Sequence, residues 1–185
     1  MTDSDEEQAL VYRVQGLRDS GAFTDLVLAH QSRIRSFLIR LCKNYDMADD
    51  LAQDVFLIAY RRLDTFRGSG SFSGWLFKIA YNCFLEQHRK VLRRQQAAER
   101  YSRSYVVHAD RYDAISHDQI DLEKAMGQLN IAEAAAITLC HSYGFSHSQA
   151  AEILKAPLGT VKSNVHRGKE KLRAILRSVS MENAT

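Results

Sequence analysis

The chain is predicted to be all-α, two small helical domains joined by a flexible linker, and three observations carry that prediction. Apolar residues recur at helical spacing almost throughout, no run of alternating β-branched residues appears, and helix breakers are scarce, with nine glycines and one proline in 185 residues. A hydrophobic fraction of 45% supplies enough apolar surface for real cores at this length.

The acidic start, with Asp3, Asp5, Glu6 and Glu7, leads into a first helix marked by Leu10, Val11, Val14 and Leu17 and closed near Gly21. Phe23, Leu26, Val27, His30, Ile34, Phe37, Leu38 and Leu41 mark a second. Both read as scaffold, with His30 in line with the apolar stripe as a core or boundary residue rather than a ligand. Asp46 to Leu63 form a third helix with two faces: Ala48, Leu51, Ala52, Val55, Ile58 and Ala59 inward, and Asp46, Asp49, Asp50, Gln53 and Asp54 outward. Spacing alone leaves two readings of the acidic face, a solvated surface whose first-turn carboxylates complement the helix dipole or a face offered to a partner. General acid and base chemistry is not favoured, because the carboxylates share one face with no pocket or histidine implied.

The stretch FRGSGSFSGW is too irregular for a phosphate-binding loop. Its aromatics either plug a core edge or bind a ligand. In the helix that follows, Leu76, Ile79, Ala80 and Cys83 define a buried stripe. Trp75, Lys78, Asn82, Glu86 and Arg89 line another face, with Lys90, Arg93 and Arg94 beyond. Aromatic, amide and cation together can stack an unpaired base, read its edge and hold its phosphate. From Gln95 to about Ser116 helical periodicity is lost and the chain turns polar, which predicts a linker over 96–117. Asp118 opens a new helical pattern with Leu122, Ala125, Met126 and Leu129, and Asn130 followed by Glu133 starts another.

The segment from Gly144 to Leu176 reads as a helix-turn-helix. Ser146 and Gln149 form a capping-box signal, Ala150, Ala151, Ile153 and Leu154 supply a buried side, and Pro157 disfavours helix at Ala156. A second helix begins near Leu158 to Thr160. There Val161, Val165, Gly168, Leu172 and Ile175 recur at helical spacing, leaving Lys162, Ser163, His166 and Arg167 outward. Between Lys155 and Arg177 the only acid among many bases is Glu170. A charge run alone is usually a solvated face, but a basic outward face on the second helix of a helix-turn-helix suits the major groove.

The net charge of +3 hides a division, with acids gathered at residues 3–7 and 46–54 and bases at 89–103 and in the C-terminal third. Different faces are expected to meet different partners. Cys42, Cys83 and Cys140 are far apart, odd in number and without metal-ligand spacing, so neither a disulfide framework nor a zinc site is expected. No cofactor is called for, and a reducing cytoplasm is the expected location. The N-terminus shows no signal-peptide pattern, and no apolar run approaches membrane-spanning length.

These residues resemble the extracytoplasmic-function group of bacterial sigma factors, in the sigma-70 family. DMADDLAQDVFLIAYRRLDTFRGSGSFSGWLFKIAYN is similar to that family's region two, and GFSHSQAAEILKAPLGTVKSNVHRGKEKL to its region four. The resemblance implies a region-two-like domain over 1–95 and a region-four-like domain over 118–185. By position, Asp46, Asp49, Asp50, Gln53 and Asp54 resemble the face that docks on the clamp helices of the polymerase β′ subunit. Phe66, Arg67, Phe72, Trp75, Lys78, Asn82 and Arg89 resemble the part that opens and reads the minus-10 element. Thr160, Lys162, Ser163, Asn164, His166 and Arg167 resemble the minus-35 readers.

The implied partners are RNA polymerase core, through the β′ clamp helices and β flap, promoter DNA, and a membrane-anchored anti-sigma factor, the chain being otherwise a monomer. The implied role is a specificity subunit for stress-type promoters rather than an enzyme. The pattern departs from the family at Asn130 and Ile131, where Pro-Glu is usual, at Lys155, where the turn usually has glycine, and at Asn164, where arginine is common. Two other readings are a DNA-binding regulator that does not join polymerase and a sigma mimic that sequesters an anti-sigma protein. The acidic helix and aromatic loop argue against the first, and the basic recognition helix against the second.

Overall fold

The computed structural model describes residues 3–68, 70–101, 122 and 125–182, and every regular element among them is helical. The chain divides into two compact units, Met1–His108 and Ala109–Thr185.

The first unit contains α1 (Asp3–Leu17), α2 (Ser20–Cys42), α3 (Tyr45–Arg62), a 3-10 turn (Leu63–Thr65) and α4 (Phe72–Tyr101). The break after α1 lies earlier than Gly21. Arg18 takes a left-handed conformation, φ 52°, with its N–H donating to Val14 O, and Asp19 then caps α2 by accepting from the Ala22 N–H at 3.0 Å. Gly21 therefore sits inside the first turn of α2. Left-handed Lys43 closes α2, and Asn44 caps α3 by accepting from the Met47 N–H at 2.8 Å. The unit's core joins Val11 and Val14 of α1, Leu26, Ile34, Phe37 and Leu38 of α2, Ala48, Val55 and Ala59 of α3, and Leu76, Phe77 and Ala80 of α4. Phe37 and Phe77 meet edge to face at 5.2 Å, a geometry that matches ring edge to ring face. α4 runs on to Tyr101, past Gln95 where loss of periodicity predicted the linker to begin. The remainder of that linker, and the helix start at Asp118, lie outside the described residues.

In the second unit Ala125, Met126 and Leu129 are buried ahead of α5 (Ile131–Ile137), which continues as a π-type turn over Thr138–Ser142. α6 (His147–Leu154) and α7 (Leu158–Glu182) follow. Asn130 replaces a proline start with a full capping box: its Oδ1 accepts from the Glu133 N–H at 2.9 Å, and its own N–H donates to Glu133 Oε2 at 3.2 Å. Ser146 and Gln149 repeat that reciprocal pair at the start of α6. Lys155 ends α6 at φ 51°, costing about 1 kcal/mol where glycine would cost little. The Pro157 carbonyl accepts from the Val161 N–H at 3.1 Å, so the proline that ends one helix starts the next. α5 and α7 cross closely at Gly168, where a Cβ would lie 3.5 Å from Glu133 Cβ and 3.2 Å from Ile137 Cγ1, and nearer still to Ile137 Cδ1.

Candidate nucleic-acid and partner interfaces

α3 buries Ala48, Leu51, Val55 and Ala59, which turns Asp46, Asp50, Gln53 and Asp54 to solvent and puts Asp49 at the boundary. Arg35 of α2 grips Asp49 in a two-point fork, Nε to Oδ1 at 2.5 Å and Nη2 to Oδ2 at 3.1 Å. The bond from Asp49 holds the Arg35 guanidinium further above its ordinary pKa. One of the five outward residues is thus already neutralised within the unit. Beside this pair, α2 and α3 leave an open groove of about 950 Å³ lined by Phe23, Val27, Phe56, Leu57 and Tyr60. The groove has a signal in the sequence, surplus apolar residues on α3 outside the inward stripe, of which Leu57 is 54% exposed.

In the glycine loop, Phe66 and Phe72 are 5% and 2% exposed, so both rings fill the core edge in the free protein. Their rings lie 5.7 Å apart and each lies 5.6 Å from Trp75, forming a closed triangle. Gly68 and Gly70, at φ 71° and 93°, turn the loop through conformations that side chains resist. Ser71 Oγ accepts from the Gly74 N–H at 3.0 Å and starts α4. Trp75 is half-buried at the loop's end, Arg67, Lys78 and Arg89 are exposed, and Asn82 is half-buried. Asn82 Nδ2 donates to the Lys78 carbonyl at 2.6 Å, which aligns the amide along the helix. The face therefore keeps an aromatic edge, an amide and cations at helical spacing.

On α7, Thr160, Lys162, Ser163 and His166 are exposed. Asn164 is not, with 6% exposure, because it shares the arc of Val161, Val165 and Gly168 that packs inward. Inside the unit Asn164 Oδ1 accepts from Arg167 Nη2 at 2.7 Å. Arg167 Nε stands 3.9 Å from Glu133 Oε1, while Lys171 Nζ donates to Glu133 Oε2 at 2.8 Å. Burial works to raise the Glu133 pKa, but the bond from Lys171, the Asn130 N–H and the neighbouring cations outweigh it and hold the carboxyl below its ordinary value.

Burial pushes the Cys42 thiol up to about 12 and raises Cys83 and Cys140 as well, so these thiols stay protonated at neutral pH. Among the described residues no group of three histidine, cysteine or acidic side chains could hold a metal ion, and no helix is long and apolar enough to cross a membrane.

The family model for sigma-70 region 2 matches residues 26–95, and that for sigma-70 region 4 matches residues 119–172. The chain is similar to the ECF RNA polymerase sigma factor SigE of Mycolicibacterium smegmatis, at 33% identity over 88% of this chain and 65% of that protein, so it spans just under two thirds of that relative's length. It is similar at 30% identity to the RNA polymerase sigma-H factor of Pseudomonas aeruginosa, over 98% of this chain and all of that one. Among solved structures it resembles the sigma factor RpoE of Bartonella quintana, determined in complex with the anti-sigma factor NepR, with a TM-score of 0.70 and 32% identity over 84% of this chain and 96% of that one.

Proposed function

Because this chain belongs to the extracytoplasmic-function group of sigma-70 RNA polymerase sigma factors, we propose that it joins core polymerase and directs it to begin transcription at specific, stress-type promoters. The observation that carries this reading is the pairing, in one chain and in order, of a region 2 module with an outward acidic helix and a region 4 module with an exposed recognition helix. Polymerase supplies the chemistry, and this chain contributes no catalytic group.

Asp46, Asp50, Gln53 and Asp54 offer negative charge and an amide to the β′ clamp helices, with Asp49 held back by Arg35. The second unit meets the β flap. Thr160, Lys162, Ser163, His166 and Arg167 enter the major groove of the minus-35 element, where hydroxyl, amine and guanidinium donors read base edges and phosphates. Trp75, Lys78, Asn82, Arg67 and Arg89 engage the minus-10 strand as it leaves the duplex. Residues 1–95 and 118–185 divide these tasks, with 96–117 as linker. The solved relative bound to an anti-sigma factor supports a similar inhibitor here, which we place in the membrane, with the free chain a cytoplasmic monomer.

The test is run-off transcription with purified core polymerase and a promoter library. Enrichment of one minus-35 and minus-10 pair supports the reading, and transcription no higher than core alone on every member overturns it.

A further inference from the structure

α1 lies N-terminal to the segment matched by the region 2 family model and reads from sequence as scaffold, yet the residues it turns toward the glycine loop are mostly polar. Gln8, Val11 and Gln15 share one face of α1, and Arg18 follows at the left-handed break just after it. Val11 is fully buried, and the other three each meet the turn or the loop. Gln15 Nε2 donates to two carbonyls at once, Leu63 O and Phe66 O, both at 2.8 Å. Arg18 Nη2 pairs with Asp64 of the same turn at 2.9 Å. Gln8 Nε2 lies over Gly68, 3.3 Å from where a Cβ would stand.

The two carbonyls are not equivalent. Leu63 O already accepts the Phe66 N–H at 2.9 Å, which closes the 3-10 turn, so Gln15 adds a second bond to a satisfied oxygen. Phe66 O belongs to the residue at which the chain leaves helical geometry, at φ −77° and ψ 108°, just ahead of Arg67 and the left-handed Gly68. Pinning that carbonyl restrains the plane of the Phe66–Arg67 peptide and so the backbone that carries the Phe66 ring, which stands 5.6 Å from Trp75. A side-chain amide can place both of its N–H bonds this way, whereas an aliphatic side chain of the same length leaves a part-buried carbonyl without its partner.

We propose that α1 is a clasp for this loop and that Gln15 is a positioning residue for capture of the unpaired base, acting through the Phe66 backbone on Trp75. This rests on the reading that Trp75 and Asn82 face the opened minus-10 strand. A loop held in its working shape before the strand arrives has less ordering to undergo on binding, so the clasp acts on melting and base choice rather than on duplex affinity.

The test uses the full chain with core polymerase and compares the parent, Gln15→Leu, Gln8→Ala and Asn82→Ala. Trp75 is the sole tryptophan, so emission of the free protein reports the loop directly, and Gln15→Leu is expected to shift it while helicity by circular dichroism is retained. Closed-complex binding in a low-temperature gel shift is expected to stay within about twofold of the parent. Open complex, read by permanganate on warming, is expected to fall about tenfold, the scale set by losing two hydrogen bonds of ordinary net strength. On a template already melted at the minus-10 element, preference for one base over its alternatives is expected to collapse, which a loss of general stability alone would not produce.

Should Gln15→Leu fail to fold, Gln8→Ala, which disturbs the same loop without touching its backbone bonds, carries the measurement at smaller amplitude. If Asn82→Ala loses base preference while both α1 variants keep it, the clasp is refuted and the reading of the loop stands. If Asn82→Ala keeps it, the reading fails and the clasp fails with it.

Discussion

Lys171 Nζ donates to Glu133 Oε2 across 2.8 Å, tying recognition helix α7 to α5 through a carboxylate whose side chain is 2% exposed. The same carboxylate closes the capping box with Asn130, so one side chain both starts α5 and holds α7 against it.

Lys171→Met should therefore leave Glu133 buried without its main partner. Loss of a fully buried pair runs to several kcal/mol, but Lys171 is half-exposed and Arg167 remains nearby, so about 1–3 kcal/mol is expected in denaturant unfolding of the chain. The pH dependence follows from the lowered pKa of Glu133. Its stabilisation is complete above the ordinary value of 4.5 and drains away as pH falls through the lower folded value. Lys171→Met should flatten that acid limb, and an unchanged limb would show that the pair does not set it.

Gly168→Ala would normally favour a helix by about 1 kcal/mol. Here the new methyl would strike Ile137, so a net loss of about 1–3 kcal/mol is expected by thermal melting. Adding Ile137→Val removes Cδ1, the atom struck first, and should recover most of the loss. A Gly168→Ala protein as stable as its parent would mean that the crossing of α5 and α7 relaxes freely.

Reversing Asp50 and Asp54 together to lysine should abolish binding to core polymerase in a pull-down at physiological salt. Both side chains are exposed, so the unfolding midpoint should move by less than about 0.5 kcal/mol. Asp49→Asn is expected to act more weakly on binding, because Arg35 already occupies that carboxylate.

Arg167→Ala should weaken duplex binding at the minus-35 element by about 1–3 kcal/mol, the range for a lost guanine contact. Asn82→Ala should spare closed-complex binding and reduce open complex if Asn82 meets only an extruded base, as proposed, because such a contact does not exist in the closed duplex. Gel shift at low temperature and permanganate reactivity on warming separate the two steps. Normal duplex binding by Arg167→Ala together with normal opening by Asn82→Ala would remove both assignments.

Much of this was legible because the signals are local. The helices follow from apolar spacing within a few turns, and the starts of α5 and α6 follow from capping boxes that link residues three apart, Asn130 with Glu133 and Ser146 with Gln149. Pro157 marks the turn between α6 and α7 by its own ring. The break after α1 is not where Gly21 suggests it, because glycine is the usual helix closer whereas here a left-handed arginine and an aspartate cap end one helix and start the next.

By itself the sequence determined an all-α chain, the order of its elements, and which polar residues share each helix face, because helical periodicity and caps are properties of neighbouring residues. Only the tertiary structure decided which of those polar groups remain available. Asn164 turned inward because α5 packs on its side of α7, and Phe66 and Phe72 closed on Trp75 because the core edge needed filling. Asp49 found Arg35 on another helix, and Gln15 reached carbonyls 48 and 51 residues away. Each of these depends on partners brought close only by packing, where a polar group buried beside apolar neighbours must be satisfied by whatever donor or acceptor the fold delivers.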